Sequence, residues 1–351
     1  MHVTHLTHVT PSTESAVDGR TPTQAIPRLG FVGVGWIGRN RMQAIGESGY
    51  GLVAAVSDPA SEALDAAAAA FPEAALAHRF DDLLAMGLDG ISIATPSALH
   101  ARQAIAALEH GCAVFCQTPL GCTVAEVRSV LAAGRTADRL LGVDMSYRHT
   151  RAMSAVRDLV LRGELGSVFA ADMVFHNGYG PDKPWFHDPL LSGGGCMMDL
   201  GVHLVDLALW TLGFPEIARV SGTLLKNGER FGPGSTGVED FATAEINLRS
   251  GCLVRVSCSW NLPIGRDALI SATFYGSEAG ASFRNVNGSF YDFEAVRLDG
   301  TATTPLVGPP DDWSGRAAAV WAARLANDRT YDASVEQLVA TAEVLDAVYG
   351  R

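Results

Sequence analysis

The chain has 351 residues, of which 48% are hydrophobic and 18% charged, with a formal net charge of -12. That length exceeds one small core and suits two domains of ordinary size. The acidic balance, without any Lys/Arg cluster, excludes nucleic acid and an anionic membrane surface as partners. No apolar run reaches the length of a transmembrane helix, so the composition points to a cytoplasmic protein with a small-molecule ligand.

Residues 1–27 are polar, contain Pro and Thr, lack the apolar core of a secretory signal, and read as a flexible tail. His2, His5 and His8 recur there at every third position, a spacing that a solvated tail explains without a metal. An apolar strand over 29–34 then runs into Gly33, Gly35 and Gly38, the G-x-G-x-x-G spacing, with a helix following. The first glycine permits a tight turn, the second lets backbone N–H groups approach a pyrophosphate, and the third permits close helix–strand packing. Gly33, Gly35, Trp36, Ile37 and Gly38 are therefore candidate pyrophosphate-binding residues at a helix N-terminus. A second strand over 52–57 ends in Asp58, twenty residues beyond Gly38. A carboxylate there hydrogen-bonds the adenosine ribose and repels a 2′-phosphate, which favours NAD over NADP, with Arg39 and Arg41 nearby as the countervailing charges.

The alternation continues with helices over 60–70 and 81–86, a strand over 90–94, a helix over 99–109, a strand over 113–116, a helix over 124–134 and a strand over 140–145. This is the pattern of a doubly wound parallel sheet of the Rossmann kind, whose ligands bind outside the carboxyl ends of the strands. Asp58, Thr95, Gln117 and Thr118 fall on that rim. Six cysteines at 112, 116, 122, 196, 252 and 258 form no CxxC pair and read as buried free thiols.

The segment 192–206, SGGGCMMDLGVHLVD, runs three glycines into Asp199 and His203, four residues apart. If the segment is helical, as the spacing of Met198, Val202, Val205 and Leu209 suggests, carboxylate and imidazole share a face. An imidazole beside an anion titrates near neutral pH, which suits proton transfer; a helix cap and a packed core histidine are the alternative. Downstream, 168–176, 219–225, 241–248, 253–260, 270–275 and 281–286 alternate or run apolar as strands do, with Ser250-Gly251 a hairpin turn.

Taken together, GFVGVGWIG, the block TPSALHARQAIAALEHGCAVFCQTPL, Tyr147-Arg148, GELGSV, Trp185, GGGCMMDLGVHLVDLALWTLG, FYGSEAGASF and the final helix over 334–349 resemble the Gfo/Idh/MocA family of NAD(P)-dependent oxidoreductases. The resemblance implies an α/β protein: an N-terminal Rossmann doubly wound parallel sheet, and a C-terminal α/β domain with a large, mostly antiparallel sheet. The expected division is a tail over 1–27, a dinucleotide-binding domain over 28–147 and a substrate-binding and oligomerisation domain over 148–351, whose final helix packs back on the first domain. It further implies a homodimer or homotetramer. Thr95, Pro96 and His100 match the family's adenine- and ribose-side loop, and Gln117 lies near the nicotinamide. Arg148 is expected to contact substrate or cofactor or to pair with a core carboxylate such as Asp172; His176, Asn177 and Trp185 are expected substrate contacts, the tryptophan by stacking on a ring unless it is a core or interface contact.

Family members typically carry Glu-Lys-Pro where this chain has Gln117-Thr118-Pro119. A threonine hydroxyl carries no charge and is shorter than Lys. Two expectations follow. In one, His203 is the acid/base of an NAD-dependent oxidoreductase acting on a sugar, cyclitol or related polyhydroxylated ring. Asp199 then orients it or binds substrate, Thr118 gives a hydrogen bond, and Arg148, Lys183 or Arg266 is the replacement cation. In the other, the protein binds nucleotide and sugar without turnover, as a sensor or partner.

Overall fold

The computed structural model describes residues 25–351; most of the tail, with His2, His5 and His8, lies outside the described residues. Strand and helix alternate from the start: β1 (Arg28–Val32), α1 (Trp36–Ser48), β2 (Leu52–Ser57), α2 (Ser61–Ala70), β3 (Ala75–Ala77), α3 (Phe80–Leu84), β4 (Gly90–Ile93), α4 (His100–Glu109), β5 (Ala113–Cys116), α5 (Val124–Ala137) and β6 (Leu141–Val143). The six strands form one sheet in the order β3-β2-β1-β4-β5-β6, every pair parallel. Every residue of β4 and β5 is buried, as a strand with helices on both faces requires. α5 starts at a capping box in which Thr123 Oγ1 accepts from Glu126 N–H and the Glu126 carboxylate accepts from Thr123 N–H.

The second half opens with α6 (Arg151–Leu161), β7 (Val168–Asn177) and α7 (Pro189–Ser192), then a π-helical turn over Met197–Gly201 that runs directly into α8 (Val202–Thr211). There follow β8 (Ile217–Lys226), β9 (Glu229–Arg230), β10 (Phe241–Leu248), β11 (Leu253–Ser259), β12 (Ala268–Gly276), β13 (Gly280–Asn285), β14 (Phe293–Asp299) and β15 (Ala302–Val307). They make a nine-stranded sheet in the order β15-β14-β13-β12-β7-β11-β10-β8-β9. All its pairs are antiparallel except β7 with β11. In β10, Ala242, Ala244, Ile246 and Leu248 are buried while Glu245 between them is exposed, the alternation of a sheet with one covered face.

Two helices close the chain, α9 (Arg316–Asn327) and α10 (Leu338–Tyr349). α9 packs beside α1 on the first sheet, and α10 lies against α5 as well as α8 and β8. Both therefore lie against first-half elements, where the sequence pointed to one returning helix. The seat of α9 is cut by glycines: a Cβ at Gly90 would lie 2.9 Å from the Trp321 ring, and one at Gly142 2.6 Å from it. Trp321 fills that ledge 5% exposed, its ring centroid 5.6 Å from that of Phe115, and its Nε1 is buried without a hydrogen-bond partner. No helix among the described residues is long and apolar enough to cross a membrane.

Trp321→Ala, which empties the ledge, is expected to cost about 3–5 kcal/mol in denaturant unfolding. Trp321→Phe, which keeps most of the ring and removes the unpaired N–H, is expected to cost less than about 1.5 kcal/mol. Equal losses from the two would show that ring packing is not what holds α9.

Candidate active site

The glycine turn after β1 is shaped by close backbone approach. Gly33 has φ +77°, and a Cβ on Gly38 would stand 2.0 Å from the Gly33 carbonyl oxygen, so neither position accepts a side chain. Gly35, by contrast, has no atom within 4 Å of where a Cβ would point. No side chain caps α1, and the first-turn amides of a helix have no intrahelical acceptor. Open space in front of free donors at a helix N-terminus fits a pyrophosphate. Asp58, at the end of β2, accepts the N–H groups of Val34 and Ala60, each at 2.9 Å. Its carboxylate thus pins the glycine turn.

Just beyond the turn, the start of α1 forms one side of a cleft of about 450 Å³ above the carboxyl ends of β1, β4, β5 and β6, which Gly33, Gly35, Gly38 and Asp58 do not themselves line. From the first half it is lined by Trp36, Ile37, Thr95, His100, Gln117 and Thr118; from the second by Asn177, Trp185, Phe186, Asp199 and His203. The ring nitrogens of His100 lie 2.7 Å from the carbonyl oxygens of Pro119 and of Thr95, so this buried side chain braces two rim loops against each other. Thr95 itself donates to Gln103 Oε1 at 2.6 Å.

Beneath the rim lies a charge cluster. Asp144, at the end of β6 and 1% exposed, takes the guanidinium of Arg41, with Nε 2.5 Å from Oδ2. Gln117 Nε2 donates to the same carboxylate oxygen, and the Ser146 hydroxyl donates to Oδ1. Arg41 completes its fork with Nη2 3.0 Å from Ser146 Oγ and Nη1 2.6 Å from Asn40 Oδ1. Arg41 is the single Lys or Arg lining the cleft among the described residues. The signal for it was its place on the buried face of α1 with Gly38, Met42 and Ile45. For Asp144, it was a carboxylate at a strand's carboxyl end.

His203 and Asp199 both reach the cleft, but no hydrogen bond joins them. His203 Nε2 lies 3.3 Å from Thr118 Oγ1, and its ring meets Tyr147 edge-on at 5.2 Å between centroids. Asp199 Oδ2 accepts from Trp260 Nε1 at 3.1 Å. The four-residue spacing brings both to the cleft, through a π-helical turn that runs into α8, and each takes a partner from elsewhere in the chain instead of the other. Burial pushes the Asp199 carboxyl up to about 6, against the smaller downward pull of the Trp260 hydrogen bond. Burial also holds the His203 imidazole below its ordinary value, outweighing the charges of Asp206 and Asp144 that raise it. The glycine run is anchored by Glu239, fully buried, whose carboxylate accepts from the N–H groups of Gly195 and Met197 and from the Tyr349 hydroxyl, at 2.9, 3.0 and 2.8 Å.

Several expected site residues stand elsewhere. Arg148 does not line the cleft; it grips the buried carboxylate of Asp206, with Nε 2.7 Å from Oδ2, and lies over Trp210 and Phe214. His176 turns into the nine-stranded sheet, Nδ1 2.8 Å from Ser259 Oγ and the ring stacked on Phe241, so it is a packed histidine rather than a cleft residue. Pro96 starts the turn before α4 without lining the cleft. Lys183 and Arg266 are also off it, Lys183 exposed beside Asp182. In their place the structure brings in Tyr147, Tyr179, Phe290, Tyr291 and Trp313, aromatic side chains from loops that no periodic pattern marks. The six cysteines are all buried and free.

Comparison with known proteins agrees with this architecture. Residues 27–145 match the oxidoreductase family with the NAD-binding Rossmann fold, and residues 153–282 match the GFO/IDH/MocA C-terminal domain. The chain belongs to the Gfo/Idh/MocA oxidoreductase family. It is 29% identical over 210 residues to the D-glucoside 3-dehydrogenase of Escherichia coli, an alignment spanning 57% of this chain and 60% of that enzyme. It is 27% identical over 316 residues to the inositol 2-dehydrogenase of Leifsonia xyli, covering 84% of this chain and 90% of the relative. Among solved structures, a levoglucosan dehydrogenase in complex with NADH and levoglucosan superposes with a TM-score of 0.78 at 19% identity, covering 92% of this chain and 96% of that one, a likeness of fold.

Removing one partner of a buried ion pair leaves the other charge uncompensated. Arg41→Ala is therefore expected to lower unfolding free energy by about 3–5 kcal/mol, while Arg41→Met combined with Asp144→Leu recovers most of that loss. Chemical denaturation of the variants checks both. A single-variant cost under about 1 kcal/mol would mean that solvent reaches the pair and screens it.

Proposed function

We propose that the protein is an NAD-dependent dehydrogenase that moves a hydride between nicotinamide and a secondary alcohol carbon of a neutral polyhydroxylated ring, a sugar or cyclitol, with His203 as the proton acceptor. The observation that carries this reading is the 3.3 Å contact of His203 Nε2 with Thr118 Oγ1 in the same cleft that the start of α1, just beyond the glycine turn, borders. When bound, the nicotinamide ring supplies the hydride acceptor or donor. The protein supplies position and a base. An imidazole held below its ordinary pKa by burial is neutral at pH 7 and free to take the hydroxyl proton of a substrate. Thr118 orients the ring through Nε2, and Asp199, held by Trp260, is left to receive a substrate hydroxyl. The activities named for the glucoside, inositol and levoglucosan relatives support a neutral polyol as substrate.

Asp58 supports NAD over NADP, because an anion at the ribose end opposes a 2′-phosphate. Of the two nearby arginines, Arg41 is committed to Asp144, and Arg39 donates to the Val34 carbonyl at 3.1 Å. One observation favours a second reading, ligand binding without turnover: no lysine lines the cleft, and the charge of its arginine is already paired.

Absorbance of reduced nicotinamide, measured on mixing the protein with NAD and a panel of sugars and cyclitols, separates the two. His203→Ala is expected to lower kcat roughly 10²–10⁴-fold while NAD affinity stays nearly unchanged. The rate of alcohol oxidation should be flat above pH 7 and fall at lower pH, as His203, held below its ordinary value by burial, takes up a proton and the base is lost, with Asp199 protonating at about 6. Turnover that survives His203→Ala removes His203 from the mechanism; tight NAD binding with silence across the panel supports the second reading. Separately, Asp58→Ala should weaken NAD binding by roughly ten-fold and narrow the gap to NADP in calorimetric titration. Unchanged affinity for both nucleotides would leave Asp58 a turn residue only.

A further inference from the structure

The cleft is graded in polarity. Thr118, His203 and Asp199 gather where the two halves meet, and Asn177 lines the same cleft. Elsewhere the lining is aromatic. Trp185 and Phe186 stack on each other at 3.8 Å and 22°, and the Tyr179 ring stands 5.9 Å from that of Phe290. Tyr179 and Tyr291 are 53% and 50% exposed, so this aromatic surface opens to solvent at the mouth. Charge is the third constraint. Among the described residues the cleft's one guanidinium is neutralised by Asp144, and Asp199 adds a carboxylate, so an anionic substrate meets no free counter-charge from them and one uncompensated anion.

We propose that the site takes a neutral glycoside whose aglycone is apolar or aromatic, with the sugar ring at the polar inner end and the aglycone against Tyr179, Tyr291 and the Trp185–Phe186 stack. The proposal rests on the reading above only in placing a sugar hydroxyl toward His203. The hydroxyl-bearing edge of the ring faces Asp199 and His203. The aglycone covers aromatic surface that water otherwise wets, and ring-on-ring contact adds to the gain from burial. The same arrangement rejects sugar phosphates, uronates and nucleotide-linked sugars, because each brings a negative charge into a cleft with no free cation among the described residues.

The test is calorimetric binding to the NAD-loaded protein of paired methyl and phenyl β-glycosides of glucose, galactose and xylose, with glucose 6-phosphate alongside. The phenyl member of any pair that binds is expected to bind roughly ten-fold tighter than its methyl partner, and the phosphate to show no binding at millimolar concentration. Tyr291→Ala and, independently, Tyr179→Ala should each shrink the phenyl-to-methyl ratio; both side chains are half exposed, so the variants should fold. Equal affinity within every pair, no binding by any glycoside, or tighter binding of the phosphate overturns the proposal. Because the readout is binding, a phenyl preference without turnover upholds this inference and counts against dehydrogenase activity, whereas turnover of methyl glycosides without a phenyl preference does the reverse.

Discussion

The carboxylate of Asp144 is the point on which the site depends. It stands at the end of β6, it is buried, and it holds Arg41 of α1, Gln117 beyond β5 and Ser146 of the following turn. Three separate pieces of chain are thus tied to one pair of oxygens. An ion pair at this depth contributes little to stability compared with an apolar pair of the same shape, since desolvating two charges offsets most of their attraction. What it contributes is direction. A guanidinium fork and a side-chain amide meet a carboxylate in few geometries, so the segment Gln117-Thr118 is held at one height above the sheet. Thr118 then meets His203, which arrives from the other half of the molecule.

That arrangement bears on the chemistry expected of a site without lysine. A free ammonium near the reacting carbon would stabilise a developing alkoxide and lower the substrate hydroxyl's pKa. Here the only cation lining the cleft among the described residues is internally compensated, and its field beyond Asp144 is that of a dipole rather than a charge. In the proposed reaction the base must therefore already be neutral. Burial of His203 favours this by disfavouring the imidazolium, and burial raises the Asp199 carboxyl to about 6. Both shifts have the same physical cause, the low polarity of the surroundings, and neither comes from contact between the two groups.

Much of the first half was legible from residues alone. Steric demands at Gly33 and Gly38 are absolute, and fully buried strands announce themselves as unbroken apolar runs, so β1, β2, β4 and β5 fell within a residue or two of their observed ends. Three-residue β3 is too short to show a period; α9 does carry a helical one in Ala317, Ala318, Trp321, Ala322 and Leu325, but its seat is a ledge of glycines distant in sequence. The Asp199–His203 pair shows the limit within the site. Spacing placed both residues on one cleft, but their partners, Trp260 for Asp199 and Thr118 for His203, come from distant parts of the chain that spacing does not reveal. Arg148 and His176 show the converse error: each is polar and sits in a stretch that resembles a site, yet each found a partner in Asp206 or Ser259 that local sequence does not reveal.

The π-helical turn itself has a nonlocal cause. A Cβ on Gly195 would stand 1.8 Å from the Glu239 carbonyl oxygen, so the glycine run is pressed against the loop before β10. The Glu239 carboxylate then takes the amides of Gly195 and Met197, the latter the first residue of the π-helical turn, together with the hydroxyl of Tyr349 at the end of α10. These bonds to the charged form oppose the rise in pKa that burial imposes on Glu239. An extra residue in a helical turn is tolerated where its amides find other acceptors, and Glu239 provides one. The last helix of the chain, which also rests on α5, thereby fixes where Asp199 enters the cleft. Tyr349 also lies against Gly194, and Arg351 donates to the Gly193 carbonyl at 3.3 Å, so the C-terminus holds the glycine run at several points.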